Sequence, residues 1–251
     1  QERFPDRCPS CGSAESLFLK GHGTERVVET LEAALPGARI ARLDRDTAQG
    51  KRTVAILDQV GKGNVDILVG TQMVAKGHDF PNVTLVGVLM ADQGLRMPDF
   101  RGSERTFQLL TQVAGRAGRG SRPGRVLIQT YNPDHPAIRF STQHDTEGFV
   151  DAELTFRERA NYPPFCHLGL LEVRGMDPIK VDRTARQLTQ AAIAMAPNTI
   201  QFLGPAPAAI PVVRGKSRVH LVLKSKSREP MRALLRQLLA QGKIGRVNAC
   251  E

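Results

Sequence analysis

Apolar residues in the first half of the chain fall into short blocks that alternate between a helical and an extended period. Val27, Val28, Leu31 and Leu35 share one face of a helix that Thr24 is placed to cap and Pro36-Gly37 stops. Residues 38–43 read as a short strand, residues 51–60 as a helix with Val54, Leu57 and Val60 inward, and residues 65–69 as a buried strand. The alternation continues with an uninterrupted apolar strand over 83–90, a helix over 103–114 carrying Phe107, Leu110 and Val113, and a strand over 125–131. Strands separated by helices imply an α/β fold whose mostly parallel sheet is covered on both faces.

From 133 to 164 the pattern turns polar and helical, and it ends at Tyr162-Pro163-Pro164, where restricted backbone marks a domain boundary. A second, smaller α+β unit follows. Its elements read as a strand over 166–173, a helix over 178–195, a hairpin of 208–213 with 219–223 turning at Arg214-Gly215-Lys216, a helix over 229–239 and a last strand over 246–250. That order is βαββαβ, the ferredoxin-like arrangement. The expected organisation is therefore a cysteine-bearing segment over 1–20, an α/β lobe over 21–135, a helical linker over 136–164 and the α+β domain over 165–251.

Composition sharpens this picture in two respects. The 251 residues carry a formal charge of +10, which favours a polyanionic partner, because Lys and Arg gain affinity by releasing counterions from phosphates. No run approaches the roughly 20 apolar residues that a membrane span requires, and the opening Gln1-Glu2-Arg3-Phe4-Pro5-Asp6 has no signal-peptide core, so a cytoplasmic protein is expected. The 4 Cys do not form a disulfide pattern: Cys8 and Cys11 are close together, while Cys166 and Cys250 are isolated.

Two segments carry chemistry. Gln112-Val113-Ala114-Gly115-Arg116-Ala117-Gly118-Arg119 lies at the C-terminal end of an amphipathic helix and spells Q-x-x-G-R-x-G-R. Arg116 and Arg119, separated by a short glycine-containing turn, can project together, and a guanidinium neutralises the charge that develops on a γ-phosphoryl group during hydrolysis. The plainer reading is a basic helix end that complements its own dipole. The other segment runs from Val69-Gly70-Thr71 to Lys76-Gly77-His78-Asp79-Phe80, directly after a buried strand, where α/β folds place ligands. Thr71 can hydrogen-bond a nucleic-acid phosphate, Gly77 permits close backbone approach, and Asp79 can accept from a ribose hydroxyl or an arginine.

Together the two segments resemble the second RecA-like lobe of superfamily 2 helicases, with T-x5-G-x-D as motif V and Q-x-x-G-R-x-G-R as motif VI. The spellings Asp44-Arg45-Asp46-Thr47, Gly70-Thr71-Gln72-Met73, Lys76-Gly77-His78-Asp79-Phe80-Pro81, Asp99-Phe100-Arg101, Glu104-Arg105 and Gly204-Pro205-Ala206-Pro207 are similar to the PriA family of replication-restart helicases. The resemblance implies an ATP-dependent 3′ to 5′ DNA helicase. Arg116 and Arg119 would be its phosphate-sensing pair, Gln112 a γ-phosphate or water contact, Gly77 and Asp79 part of the ATP side, and Thr71 a DNA contact. It also implies ATP and Mg2+ as cofactors, and replication forks, single-stranded DNA, single-strand-binding protein and other primosome proteins as partners.

Cys8-Pro9-Ser10-Cys11-Gly12 is half of a zinc knuckle. Tetrahedral zinc takes four ligands, and no second pair follows, so the chain is expected to hold either an unliganded pair or Zn2+ completed by ligands from elsewhere. Within the resembled family such a pair closes a site begun upstream. Basic residues Arg214, Lys216, Arg218, Lys224, Lys226 and Arg228 gather at and after the hairpin. They read either as phosphate contacts or as cations that protect a sheet edge from pairing, and Arg214, Lys216 and Arg218 are taken as the DNA-binding set.

A motor of this kind also needs a G-x-x-x-x-G-K-S/T loop and an acidic D-E-x-H segment to hold the triphosphate and magnesium. Neither is in the sequence: before Gly215-Lys216-Ser217 Ile210 stands where the first glycine would be, and Gly50-Lys51 is followed by Arg52. The chain is thus expected to be an excerpt with half of an active site and no ATPase of its own. The alternatives are a non-catalytic DNA-binding or helicase-loading adaptor that keeps the lobe as scaffold, and an RNA helicase or nucleosome-type translocase lobe.

Overall fold

The computed structural model describes residues 12, 23–44, 51–71, 82–115, 117, 123–242 and 244. They divide into two compact units, one of Gln1–Val88 with Gln112–Leu127 and one of Leu89–Thr111 with Ile128–Glu251.

In the first unit, α1 (Thr24–Ala34) leads into β1 (Ile40–Leu43), and α2 (Lys51–Gly61) leads into β2 (Ile67–Gly70). β1 and β2 pair in parallel with Ile40 opposite Ile67 and Leu43 opposite Gly70, the αβ arrangement expected from the alternating pattern. Leu43 and Val69 supply the buried apolar side chains of the pair. β3 (Leu85–Val88) pairs with β4 (Arg125–Ile128) in a separate two-stranded sheet among the described residues.

Three expectations fail here for physical reasons. Thr24 does not cap α1: Gly23 holds the N-cap position, and the Thr24 hydroxyl donates to Asp44 Oδ2 at 2.6 Å, tying the helix start to the end of β1. Val54 is exposed, because the inward face of α2 is built instead on Ile56, Leu57 and Val60. β3 is half-exposed in alternation, with Leu85 outside, so the apolar run over 83–90 is not buried on both faces.

The second unit starts with a 3₁₀ turn (Ala91–Gln93) and with α3 (Gly102–Ala114) as far as Thr111. Asp92 in that turn is 3% exposed. Its Oδ1 accepts from the Thr130 hydroxyl at 2.8 Å and its Oδ2 from the Tyr131 N–H at 2.9 Å. Burial by itself would raise the Asp92 pKa, but these donors outweigh it and hold the carboxyl below the usual range. A folded pKa below the unfolded one contributes stability above the unfolded pKa, about 4, and loses it as pH falls through the folded value. Asp92→Ala is expected to lower stability by about 2–3 kcal/mol at pH 7 and to flatten the acid limb of the stability profile, as read by urea titrations from pH 7 to pH 3. An unchanged acid limb would remove this assignment.

Between the two ends of this unit lie α4 (Pro136–Thr142) and α5 (Thr146–Arg159). His135 Nδ1 accepts from Ala137 N–H at the start of α4, with Pro136 at its first position, and Asp145 accepts from Gly148 N–H at the start of α5. Phe149 of α5 stacks on Phe107 of α3 with ring centroids 4.0 Å apart and 4° between planes.

The rest of the described residues form a three-stranded antiparallel sheet of β5 (His167–Gly175), β6 (Ile200–Val213) and β7 (Lys216–Ser225), with α6 (Pro178–Met195) and α7 (Arg228–Ala240). Its order is β5-β7-β6, so β7 is inserted between two strands that the α6 crossover connects. Asp177 accepts from the Ile179 and Lys180 N–H groups and Pro178 opens α6, which is why this helix has the bounds its sequence announces. Leu188 and Ala192 of α6 and Met231, Leu234 and Leu238 of α7 bury one sheet face through Leu171, Ile200, Leu221 and Leu223.

β6 begins earlier than the expected 208. It accommodates Pro205, Pro207 and Pro211 because it is an edge strand, and its register shifts between Leu203 and Ala206 and between Pro207 and Val212. Gly204, at φ +106, sits at the first shift, where a Cβ would lie 2.9 Å from the His220 carbonyl oxygen. The expected strand over 246–250 lies outside the described residues.

Candidate nucleotide-sensing helix and nucleic-acid face

The helix that carries the arginine motif is held from its buried side. Thr106, Phe107, Leu110 and Val113 of α3 are buried at helical spacing, and Thr106 donates to the Gly102 carbonyl. Gln112 therefore faces solvent, and α3 ends at Ala114, one residue before Gly115. Arg116 and Arg119 lie outside the described residues, as do Gly77 and Asp79. Thr71 is exposed at the residue after β2, the carboxyl end of a parallel strand.

α3 is also fixed electrostatically near its start. Arg157 of α5, with a side chain 12% exposed, donates from Nη2 to Glu104 Oε2 and from Nε to Glu153 Oε1, both at 2.8 Å. Its guanidinium carbon lies 5.2 Å from the centre of the Phe100 ring. Phe100 in turn stacks on Tyr162, with centroids 5.5 Å apart.

Beyond Tyr162 the ladder reaches the sheet: Lys224 Nζ of β7 lies 3.8 Å from the Tyr162 ring centre and donates to the Ala160 carbonyl at 3.0 Å. Lys224 is consequently buried, and it leaves the set of basic residues available to a phosphate.

Of the other basic residues, Lys216 and Arg218 stand on the sheet face that α6 and α7 do not cover, whereas Arg228 opens α7 and donates from Nε to His167 Nδ1 at 3.3 Å. Along β7, Val219, Leu221 and Leu223 point into the helix-covered core, so Lys216, Arg218 and His220 alternate onto the opposite face. The turn is tighter than expected: Arg214 at φ 50 and Gly215 at φ 74 make a two-residue loop with both centres left-handed, the form that suits the twist of a hairpin, and Lys216 already pairs with Val213 as the first residue of β7.

Arg174 of β5 lies directly opposite Arg218 in the cross-strand register. Arg174, Arg214, Lys216 and Arg218, with Glu172 and Val213, line an open basin of about 470 Å3. Glu172 is the counter-charge. Its Oε2 accepts from Arg218 Nε at 2.8 Å and Nη2 at 2.5 Å, and lies 3.0 Å from His220 Nε2. The Arg218 bonds, with a smaller contribution from His220, hold the Glu172 carboxyl below its ordinary range.

Arg174 and Glu172 escaped the reading of the sequence because they lie about forty residues before the hairpin and join it only through β5–β7 pairing. The alternation Leu170, Glu172, Arg174 against Leu171, Val173 was the available signal.

Cys8 and Cys11 lie outside the described residues. Cys166 is buried with its thiol donating to the Asn161 carbonyl at 2.8 Å, so it is engaged away from any metal, and burial raises its pKa. Among the described residues no group of three or more His, Cys, Asp or Glu could hold a metal ion. Two thiolates supply half of a tetrahedral zinc shell, and the described residues do not complete it. No helix among the described residues is long and apolar enough to cross a membrane.

Comparison with known proteins matches residues 18–121 to the helicase conserved C-terminal domain and residues 158–248 to the primosomal protein N C-terminal domain. Replication restart protein PriA of Bacillus subtilis (strain 168) is 44% identical over 240 residues, covering 95% of this chain and 30% of that protein. The same protein of Synechocystis is 44% identical over 221 residues, covering 88% of this chain and 26% of the relative, and that of Haemophilus influenzae is 37% identical over 238 residues, covering 94% and 32%. The chain thus spans about a third or less of the length of these relatives. Because identity at this level runs almost from end to end, across both matched domains in order, the chain belongs to the PriA family of replication restart proteins.

Proposed function

We propose that the chain supplies the arginine-bearing half of a bipartite ATP site, together with a nucleic-acid surface, in an ATP-dependent 3′ to 5′ DNA helicase of replication restart. The observation that carries this reading is α3: a helix anchored through Glu104, Phe107 and Leu110 that ends at the Gln112-to-Arg119 motif. An arginine finger works only if its approach to phosphate is fixed, and a helix clamped along one face supplies that fixed base.

In this reading Arg116 and Arg119 stabilise charge on the γ-phosphoryl group, Gln112 contacts that group or its attacking water, Gly77 and Asp79 border the nucleotide, and Thr71 touches the DNA strand. ATP and Mg2+ are held by a partner lobe carrying the phosphate loop that this sequence lacks, so the chain alone hydrolyses no ATP. Cys8 and Cys11 contribute two thiolates to a Zn2+ site whose other ligands come from elsewhere. The α/β part is a RecA-like lobe over 21–135, followed by a helical linker over 136–164 and a ferredoxin-like domain over 165–251. The β5-β7-β6 order, with its α6 crossover, supports the last assignment. The working environment is cytoplasmic, with replication forks, single-strand-binding protein and other primosome proteins as partners.

Arg214 and Lys216, exposed at the hairpin tip, are the DNA contacts on the second unit, with Arg218 beside them. Replacing Arg214 and Lys216 together by Ala is expected to weaken single-stranded DNA binding by about tenfold and to reduce the slope of log Kobs against log salt by about 1.4, because two phosphate contacts are lost. Fluorescence anisotropy with an oligo-dT probe at several salt concentrations measures both. Equal affinity and an equal slope would instead leave the hairpin cations as guards of a sheet edge.

A further inference from the structure

We infer that Glu172 is a built-in counter-charge that holds Arg218 away from nucleic-acid phosphates and thereby limits how tightly the uncovered sheet face grips single-stranded DNA. The inference deepens the proposed DNA-binding role of the hairpin and rests on it.

Three observations converge on it. First, Arg174 and Arg218 stand directly opposite each other across β5 and β7, an arrangement that costs stability when nothing neutralises it. Second, the basin at this end of the sheet gathers four cationic side chains, Arg174, Arg214, Lys216 and Arg218, around one carboxylate. Third, all three polar contacts to that carboxylate, two from Arg218 and one from His220, fall on a single oxygen, Oε2.

The Glu172–Arg218 pair leaves each side chain 26% exposed. The pair remains within reach of solvent, and the charge it cancels lies where phosphates would approach. A phosphodiester presents the same kind of oxygens to a guanidinium as a carboxylate does, so a DNA phosphate can take over Arg218 by exchange rather than by insertion. Each such exchange leaves Glu172 facing the incoming strand, and that repulsion weakens the grip. The face is thereby suited to a strand that must be held and released repeatedly. The same face carries exposed Leu170 and Leu203 and no described Phe, Tyr or Trp on its strands, so recognition runs through the backbone of the DNA rather than through stacked bases.

The test uses the 251-residue chain and a fluorescein-labelled oligo-dT in an anisotropy titration. Glu172→Gln is expected to bind about fivefold tighter at low salt, with a salt slope steeper by about 0.7, while its thermal midpoint stays level or falls slightly. Arg174→Ala is expected to bind about threefold weaker. A merely structural Glu172 would give equal or weaker binding in the Gln variant. If Glu172→Gln fails to tighten binding while the Arg214 and Lys216 double variant weakens it, the counter-charge inference is wrong and the DNA surface stands. If the double variant also binds like the parent chain, the surface itself is wrong and the inference falls with it.

Discussion

In a protein that joins this chain to an ATP-binding lobe, Arg119→Ala is expected to lower DNA-stimulated ATP hydrolysis by about a thousandfold with little change in nucleotide affinity. The reasoning is electrostatic. A phosphoryl group in flight spreads negative charge over its equatorial oxygens, and an arginine that reaches it from a neighbouring element contributes about 10³ to 10⁵ in rate. Because that contact strengthens only as the transition state forms, its loss appears in kcat and leaves KM nearly level. Arg119→Lys should recover little, since an ammonium cannot present the guanidinium fork. A steady-state ATPase assay with and without single-stranded DNA decides the matter, and unchanged turnover would remove Arg119 from the site.

The second large effect is on stability. Arg157→Ala is expected to cost about 3–5 kcal/mol, because it strands Glu153, whose side chain is 10% exposed, as a buried carboxylate without its cation. It also removes the bond to Glu104 and the guanidinium over Phe100. Adding Glu153→Gln to the Arg157→Ala chain should restore a good part of the loss, since the stranded charge disappears, whereas the same change in the parent chain should destabilise. Urea unfolding of the four proteins forms a double-mutant cycle, and additive effects would show that Arg157 does not act through Glu153.

These residues also mark how far the sequence could be read. Helical periodicity located α3 and its buried Phe107, Leu110 and Val113, and the helix expected over 178–195 is α6 to the residue, its start fixed by the local capping of Asp177. The hairpin turn was legible in Arg214-Gly215 for the same reason. The start of β6 was not, since Pro205 and Pro207 fall in the stretch before 208, and a strand carries such prolines only on a sheet edge. Thr24 looked like a cap, but a tertiary partner, Asp44, claims its hydroxyl. Lys224 counted as one more surface cation, and only the fold brings Tyr162 over it. The arginine motif was visible as a motif, whereas the Arg157–Glu104 and Glu172–Arg218 pairs depend on contacts between segments distant in the chain. Local signals held for α3 and α6 and failed at Thr24 and Val54, where tertiary surroundings decide, and long-range pairings were not available to be read.

The insertion of β7 between β5 and β6 also orders the assembly of the sheet. β6 and β7 are joined by two residues and can zip from the Arg214-Gly215 turn with little loop entropy to overcome. β5 meets β7 only by closing segments such as the one from Gly175 to Ser217, so its pairing carries the larger entropic cost and waits for the hairpin to exist. Glu172 and Arg174 ride on β5 and reach the basin only at that late step. Nascent or partly unfolded molecules therefore present the hairpin cations without their carboxylate restraint, a more adhesive surface than the mature one.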